Sequence, residues 1–113
     1  MTDTIGEKTY VRVAARAGVS ERSASIVRAG AYDVAIFSVR GELYAYENAC
    51  PHQGGPIGEG IVDGATVTCP WHAWCFDVRS GKMTLGDFAA LRRFDLYVEH
   101  DAVFVATEPE DAS

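Results

Sequence analysis

The chain has 113 residues, the size of one domain, and 48% of them are hydrophobic, enough for a single core. Sixteen acidic residues outnumber ten basic ones, and the formal net charge of −6 disfavours nucleic acid and anionic membranes as partners. No segment approaches the ~18 consecutive apolar residues of a membrane span, and the N-terminus lacks the basic and apolar regions of a signal peptide. We therefore expect one domain over residues 1–113, located in the cytoplasm.

Short runs of β-branched and aromatic residues, separated by turn signals, follow one another along the chain. Many short strands at close spacing predict an all-β sandwich or small barrel. Residues 17–24 predict a loop, residues 63–64 and 100–101 predict hairpin turns, and the acidic tail 108–113 is expected to fray. The predicted strands cover residues 10–15, 25–28, 32–39, 43–47, 61–62, 66–68, 75–78, 82–83, 91–99 and 102–106.

Two short motifs, Cys50-Pro51-His52 and Cys69-Pro70-Trp71-His72, contain four of the six Cys and His residues of the chain. Each motif offers one thiolate and one imidazole, so each loop can give one ligand to each of two irons. Zinc sites more often pair like ligands, as Cys-x₂₋₄-Cys followed by His-x₃₋₅-His. The arrangement therefore favours a mixed-ligand [2Fe–2S] cluster over zinc. Its predicted ligands are Cys50, His52, Cys69 and His72.

Both motifs lie in gaps between predicted strands. The first motif follows the strand at 43–47, and the second lies between the strands at 66–68 and 75–78. The hairpin turn at 63–64 would bring the two motifs side by side. We therefore expect residues 48–77 to form a small cluster-binding subdomain on a β base.

The stretches CPHQGGPIGEG and CPWHAWCFDVRSGK closely resemble the two cluster-binding loops of Rieske proteins, and the resemblance extends over residues 10–107. It is closest to the small ferredoxins of bacterial aromatic-ring-hydroxylating dioxygenase systems. The resemblance implies a Rieske-type β sandwich or barrel base with an inserted cluster-binding subdomain and one [2Fe–2S] cluster per chain. It also implies an electron carrier, not an enzyme, with a flavin-containing ferredoxin reductase as donor and an oxygenase component as acceptor.

The same resemblance bears on the reduction potential. High-potential Rieske proteins carry an extra cysteine in each loop, where this chain has Gly55 and Trp71. They also place Ser and Tyr hydroxyls near the cluster, where this chain has Trp74 and Phe76. We therefore predict a cluster without a loop disulfide and a potential near the bottom of the Rieske range of about −150 to +300 mV.

Three other functions compete with this interpretation. The chain could be the small subunit of an assimilatory nitrite reductase, which shares the fold, or a structural zinc module that binds a protein partner. It could also be a redox sensor that uses Cys75, although we favour Cys75 as a small buried apolar residue. His100, in a predicted hairpin turn, is expected to be a solvated surface residue.

Overall fold

The protein is described by a computed structural model over residues 2–5, 8–20, 23–49, 55–70, 75–84 and 90–110. The described residues form eleven strands and two 3₁₀ turns, so the predicted all-β class is confirmed. None of the described residues belongs to a helix that is long and apolar enough to cross a bilayer. The strands are β1 Thr2–Ile5, β2 Lys8–Ala15, β3 Ser25–Ala29, β4 Tyr32–Val39, β5 Glu42–Glu47, β6 Ile61–Asp63, β7 Thr66–Thr68, β8 Cys75–Asp77, β9 Arg93–Phe94, β10 Leu96–Glu99 and β11 Ala102–Ala106; the 3₁₀ turns are Arg16–Gly18 and Ile57–Glu59.

These strands form three antiparallel sheets. The first sheet has the order β1-β2-β11-β10, and the second has the order β3-β4-β5-β9. The third sheet, β6-β7-β8, is short; β6 and β7 lie between the two motifs in the chain, and β8 follows the second motif. The third sheet is thus a small unit beside two larger ones.

Strand β4 contributes to the cores on both sides of the second sheet. Side chains alternate along a strand, so Val34 and Ile36 point to one face while Ala35 and Phe37 point to the other. The first pair packs in a core that includes Val103 and other residues of the first sheet, and the second pair packs in a core shared with the third sheet. Burial on both faces explains why β4 reads as a nearly continuous apolar run.

Most predicted strands agree with the observed ones to within two residues at their ends. The predicted loop at 17–24 begins inside a 3₁₀ turn, and the Asp63-Gly64 turn joins β6 to β7 as expected. Strand β1 was not predicted. It pairs with β2 from Thr2↔Val11 to Ile5↔Lys8. The polar sequence of its segment gives no strand signal.

The prediction of one strand over residues 91–99 is wrong. The segment forms two strands in different sheets, because Arg93–Phe94 pairs with β5 whereas Leu96–Glu99 pairs with β11. The chain passes from the second sheet to the first sheet at Asp95. The Asp95 carbonyl accepts a hydrogen bond from the Ala106 N–H at 2.9 Å. The Tyr10 hydroxyl also donates to the Asp95 carboxylate. The segment contains no Gly or Pro, so the sequence gives no sign of the break.

The predicted fraying of the tail does not hold at Glu110. Its backbone N–H donates a hydrogen bond of 2.7 Å to the Arg93 carbonyl, which attaches residues 108–110 to the second sheet. Residues 111–113 lie outside the described residues. The polar composition of residues 108–110 therefore does not prevent their attachment to the second sheet.

Candidate metal centre

Of the four predicted ligands, Cys69 lies in the described part of the structure. It directly follows β7, and its side chain is buried, with 2% exposed, in the core between the second and third sheets. Val67 is buried in the same core, while Thr68 between them is only partly buried, as the alternation of side chains along a strand requires. Cys50, His52 and His72 lie outside the described residues, and their assignment as ligands stays a prediction.

The loop that contains the first motif is closed at its base by Asn48. The backbone N–H of Asn48 donates to the Asp33 carbonyl at 2.8 Å, which holds the residue at the end of β5. Its side-chain oxygen accepts a hydrogen bond of 2.6 Å from the Gly58 N–H. A Cβ at position 58 would lie 2.6 Å from Ile26 Cγ1 and 2.9 Å from the Asn48 side-chain oxygen, so a larger residue there would force these side chains to move. This closure fixes both ends of the loop that contains Cys50 and His52.

A second close approach joins the segments that flank the two motifs. A Cβ added to Gly60 would lie 2.1 Å from the carbonyl oxygen of Thr68, so only glycine lets the two backbones approach this closely. The next residue, Ile61, pairs with Thr68 in the register of β6 and β7. The end of the first loop therefore lies against the residue that precedes Cys69. The hairpin turn at 63–64 therefore brings Gly60, which follows the first motif, against Thr68, which precedes the second; the two loops themselves lie largely outside the described residues, and their side-by-side placement stays a prediction.

The second motif lies in the connection between β7 and β8. Thr68 pairs with Cys75, which closes residues 69–74 into a short loop that contains Cys69 and His72. The Cys75 sulfur lies 3.3 Å from the Thr68 hydroxyl, and the residue is only partly buried. Cys69, in contrast, faces the core. The two cysteines therefore lie on opposite faces of the third sheet, and Cys75 is less buried than we predicted.

The core beneath Cys69 is apolar and, among the described residues, contains one fully buried tyrosine. Phe76 is fully buried there, so this position supplies no hydroxyl. Tyr46 is also fully buried, and its hydroxyl donates a hydrogen bond of 2.5 Å to the Val78 carbonyl. Burial raises the pKa of Tyr46 to about 12, so the side chain stays neutral at physiological pH. It joins β5 of the second sheet to the residue that follows β8 of the third.

These surroundings fit a mixed-ligand iron–sulfur cluster. Ile57, Val67 and Phe76, which share the core with Cys69, are fully buried and apolar. The formal charges of two ferric ions, two sulfides and two thiolates cancel when both imidazoles are neutral. An all-thiolate cluster would carry a formal charge of about −2 at the same site, and burial of net charge is costly. The predicted ligand set therefore suits the apolar surroundings of Cys69.

Sequence reasoning found Cys69 but not the residues that support it. Asn48, Gly58, Gly60 and Tyr46 hold the loops or the core beneath them. The spaced glycines of GGPIGEG were the one available signal for close backbone approach. Nothing in the sequence marks Asn48 or Tyr46, because each contacts residues that are distant in the chain.

Comparison with known proteins identifies the family of this chain. The family model of the Rieske [2Fe-2S] domain matches residues 9–95. The ferredoxin component of an alkene monooxygenase system from Xanthobacter autotrophicus is 30% identical over 101 residues, which cover 88% of this chain and 83% of that protein. Human apoptosis-inducing factor 3 is 37% identical over 68 residues, but the match spans 58% of this chain and only 11% of that much longer protein.

Solved structures agree with this assignment. A complex of reduced oxygenase and oxidized ferredoxin in carbazole 1,9a-dioxygenase contains a chain with a TM-score of 0.80 and 29% identity, covering 89% of this chain and 95% of that chain. A nitrite reductase small subunit, with a TM-score of 0.73 and 19% identity over 85% of this chain and 96% of that chain, has the same fold. The chain belongs to the Rieske [2Fe–2S] domain family, whose cofactor is one [2Fe–2S] cluster per chain.

Proposed function

We propose that this chain is a Rieske ferredoxin that carries single electrons from a flavin-containing reductase to the oxygenase component of an aromatic-ring dioxygenase. The observation that supports it best is the placement of Cys69, buried at the end of β7 and against a first loop closed by Asn48 and Gly58. The family and the relatives that are named as ferredoxin components support the same role.

We assign the cluster to Cys50, His52, Cys69 and His72, within a subdomain of about residues 48–77. When bound, the cluster supplies one-electron oxidation and reduction and needs no bound substrate. The chain's own residues hold it and limit its contact with water: Ile57, Val67 and Phe76 enclose the Cys69 side of the site. We place the protein in the cytoplasm, whose reducing conditions keep cysteines available as thiolate ligands.

The test is a reconstituted turnover assay with the reductase and oxygenase components encoded beside this chain. We expect NAD(P)H-driven dihydroxylation of an aromatic substrate to depend on added ferredoxin. We expect Cys69→Ser to support no product formation, because the substitution removes a ligand. Cys75→Ser, a matched change on the other face of the third sheet, should still support product formation. Undiminished product formation without the ferredoxin would contradict the proposal, and so would electron delivery only to a sirohaem nitrite reductase.

A further inference from the structure

Three residues form a row across the outer face of the third sheet, at the end where the second motif begins. Ile61 of β6 pairs with Thr68 of β7, and Thr68 pairs with Cys75 of β8. Directly opposed residues of antiparallel strands place their side chains on the same face of the sheet. Cys69 faces the core on the other side. Thr68 is therefore adjacent to a predicted ligand in the chain, but its side chain points away from the site.

Thr68 and Cys75 also contact each other through their side chains. The Thr68 hydroxyl oxygen lies 3.3 Å from the Cys75 sulfur, and either atom can donate the hydrogen bond. Both residues are only partly buried. They form the last pair of the β7–β8 ladder before residues 69–74, the loop that contains Cys69 and His72. The side-chain bond therefore joins the two ends of this loop.

The backbone on each side of this pair is held by a further contact. Gly60 closely approaches the Thr68 carbonyl, which fixes β7 against the segment that follows the first motif. The Thr84 N–H donates a hydrogen bond of 3.1 Å to the Cys75 carbonyl, which fixes β8 on its other edge. A shift of β7 relative to β8 at this end would change the distance between the two ends of the loop. The bond between Thr68 and Cys75 opposes that shift.

A second threonine on the same face of β7 provides a comparison. Thr66 lies two residues before Thr68 and pairs with Asp63 and Asp77, at the end of the third sheet remote from the motifs. It is partly buried, as Thr68 is, but its hydroxyl has no hydrogen-bond partner within the described part of the chain. The two threonines therefore share a strand and a face, and they differ in the side-chain bond and in the distance from the loop.

We propose that Thr68 is a positioning residue for the cluster, which acts through its bond to Cys75 and holds Cys69 and His72 at the spacing that the two irons require. The inference rests on the proposed function, because it needs Cys69 and His72 as ligands. Each opening of the loop separates a ligand from its iron and exposes that iron to water and to chelators. The bond makes such openings rarer, so Thr68 determines how long the chain retains the cluster without contacting it.

The test measures the loss of the cluster from the purified holoprotein. After addition of excess EDTA, the decay of the visible absorbance gives a first-order rate constant. Thr68→Val keeps the shape of the side chain and removes its hydroxyl. We expect it to raise the rate constant about threefold to tenfold, the change that loss of one neutral hydrogen bond produces. Thr68→Ser retains a hydroxyl, and its rate constant should stay within about twofold of that of the parent.

Thr66→Val is the matched control, because it makes the same change on the same strand and face, away from the loop. Its rate constant should stay within about twofold of that of the parent, as for a surface substitution that breaks no bond. Equal rate constants for Thr66→Val and Thr68→Val would overturn the proposal.

Low concentrations of urea separate the opening of one loop from unfolding of the whole domain. Opening of the loop exposes little surface, so the fast loss in Thr68→Val should depend only weakly on urea. A rate constant that rises steeply with urea would show that the cluster is lost through global unfolding. Thr68 would then be a structural residue only, and the proposal would be overturned.

A double variant identifies the partner of Thr68. Cys75→Ala removes the same bond, so Thr68→Val should have little further effect on the rate constant in that background. Fully additive effects would show that Thr68 acts without Cys75 and would overturn the proposal. If the parent protein lacks the visible absorbance of an iron–sulfur cluster, the proposed function itself is refuted, and this inference with it, before any rate is measured.

Discussion

Tyr46 shows how a single residue couples the candidate site to the stability of the fold. Its ring is fully buried, with its centroid 6.2 Å from that of Phe37, and its hydroxyl donates to the Val78 carbonyl across two sheets. An ionised phenolate at this position would lose its solvation and its ability to donate. The folded chain therefore requires the neutral side chain.

This requirement predicts a pH dependence. The pKa of Tyr46 is raised to about 12 in the folded chain, whereas an unfolded tyrosine ionises near pH 10. Stability from this residue is fully present below about pH 10 and is lost as the pH rises toward 12, at roughly 1.4 kcal/mol per pH unit, because only the unfolded chain releases the proton there.

Urea unfolding of the parent and of Tyr46→Phe between pH 8 and 11.5 measures this effect. The variant should be less stable by about 1–3 kcal/mol at pH 8, because the Val78 carbonyl loses its donor. Its free energy of unfolding should then fall less steeply above pH 10 than that of the parent. Identical slopes would show that Tyr46 does not retain its proton in the folded chain.

At the scale of elements, the sequence predicts a strand correctly where a local residue pattern determines it. The prediction fails where the strand depends on a contact with a distant part of the chain. The alternation and the Asp63-Gly64 turn specify the β6–β7 hairpin locally, and it forms as predicted. The break at Asp95 depends on pairing with two different sheets, which a local pattern does not encode. The closure of the loop that contains the first motif likewise depends on a hydrogen bond from the Gly58 N–H to the side-chain oxygen of Asn48, ten residues earlier in the chain.

The contact between Gly60 and β7 is an element-scale feature on which we expect the site to depend. Gly60→Ala would place a Cβ 2.1 Å from the Thr68 carbonyl oxygen, so the 3₁₀ turn or β7 must move. We expect this variant to lose about 2–4 kcal/mol of stability and to retain less iron than the parent. Gly18→Ala is the matched control, because a Cβ there meets nothing within 4 Å.

Thermal unfolding and iron content of the two purified variants measure the effect. Equal iron content and equal midpoints in both variants would mean that the close approach of Gly60 to Thr68 is dispensable. Loss of iron in Gly60→Ala alone would tie this contact to the holding of the cluster.

At the scale of the whole molecule, the sequence identifies the protein family but does not identify the partner proteins. Four ligands at a specific spacing predicted the cofactor class, and the comparisons confirm the family. The same fold occurs in a carbazole dioxygenase ferredoxin and in a nitrite reductase small subunit, so the backbone does not separate these systems. Partner proteins are recognised by surface side chains, and surface positions leave no periodic pattern in the sequence.

The reduction potential is also a property of the whole site. Gly55 and Phe76 replace a cysteine and a hydroxyl of high-potential Rieske proteins, and Phe76 is fully buried. Fewer hydrogen bonds to the cluster leave the reduced form less stabilised. A spectroelectrochemical titration should give a midpoint near the bottom of the range of about −150 to +300 mV. A midpoint well above zero would show that other groups supply the missing stabilisation.

The central claim is that two thiolates and two imidazoles hold one [2Fe–2S] cluster. Electron–nuclear double resonance on the dithionite-reduced holoprotein tests it most directly, because it detects nitrogen nuclei bound to the paramagnetic centre. We predict a rhombic signal with hyperfine couplings from two histidine nitrogens, and the loss of one coupling in His52→Cys and in His72→Cys. A reduced cluster without nitrogen couplings, or a colourless protein that contains zinc, would contradict the account.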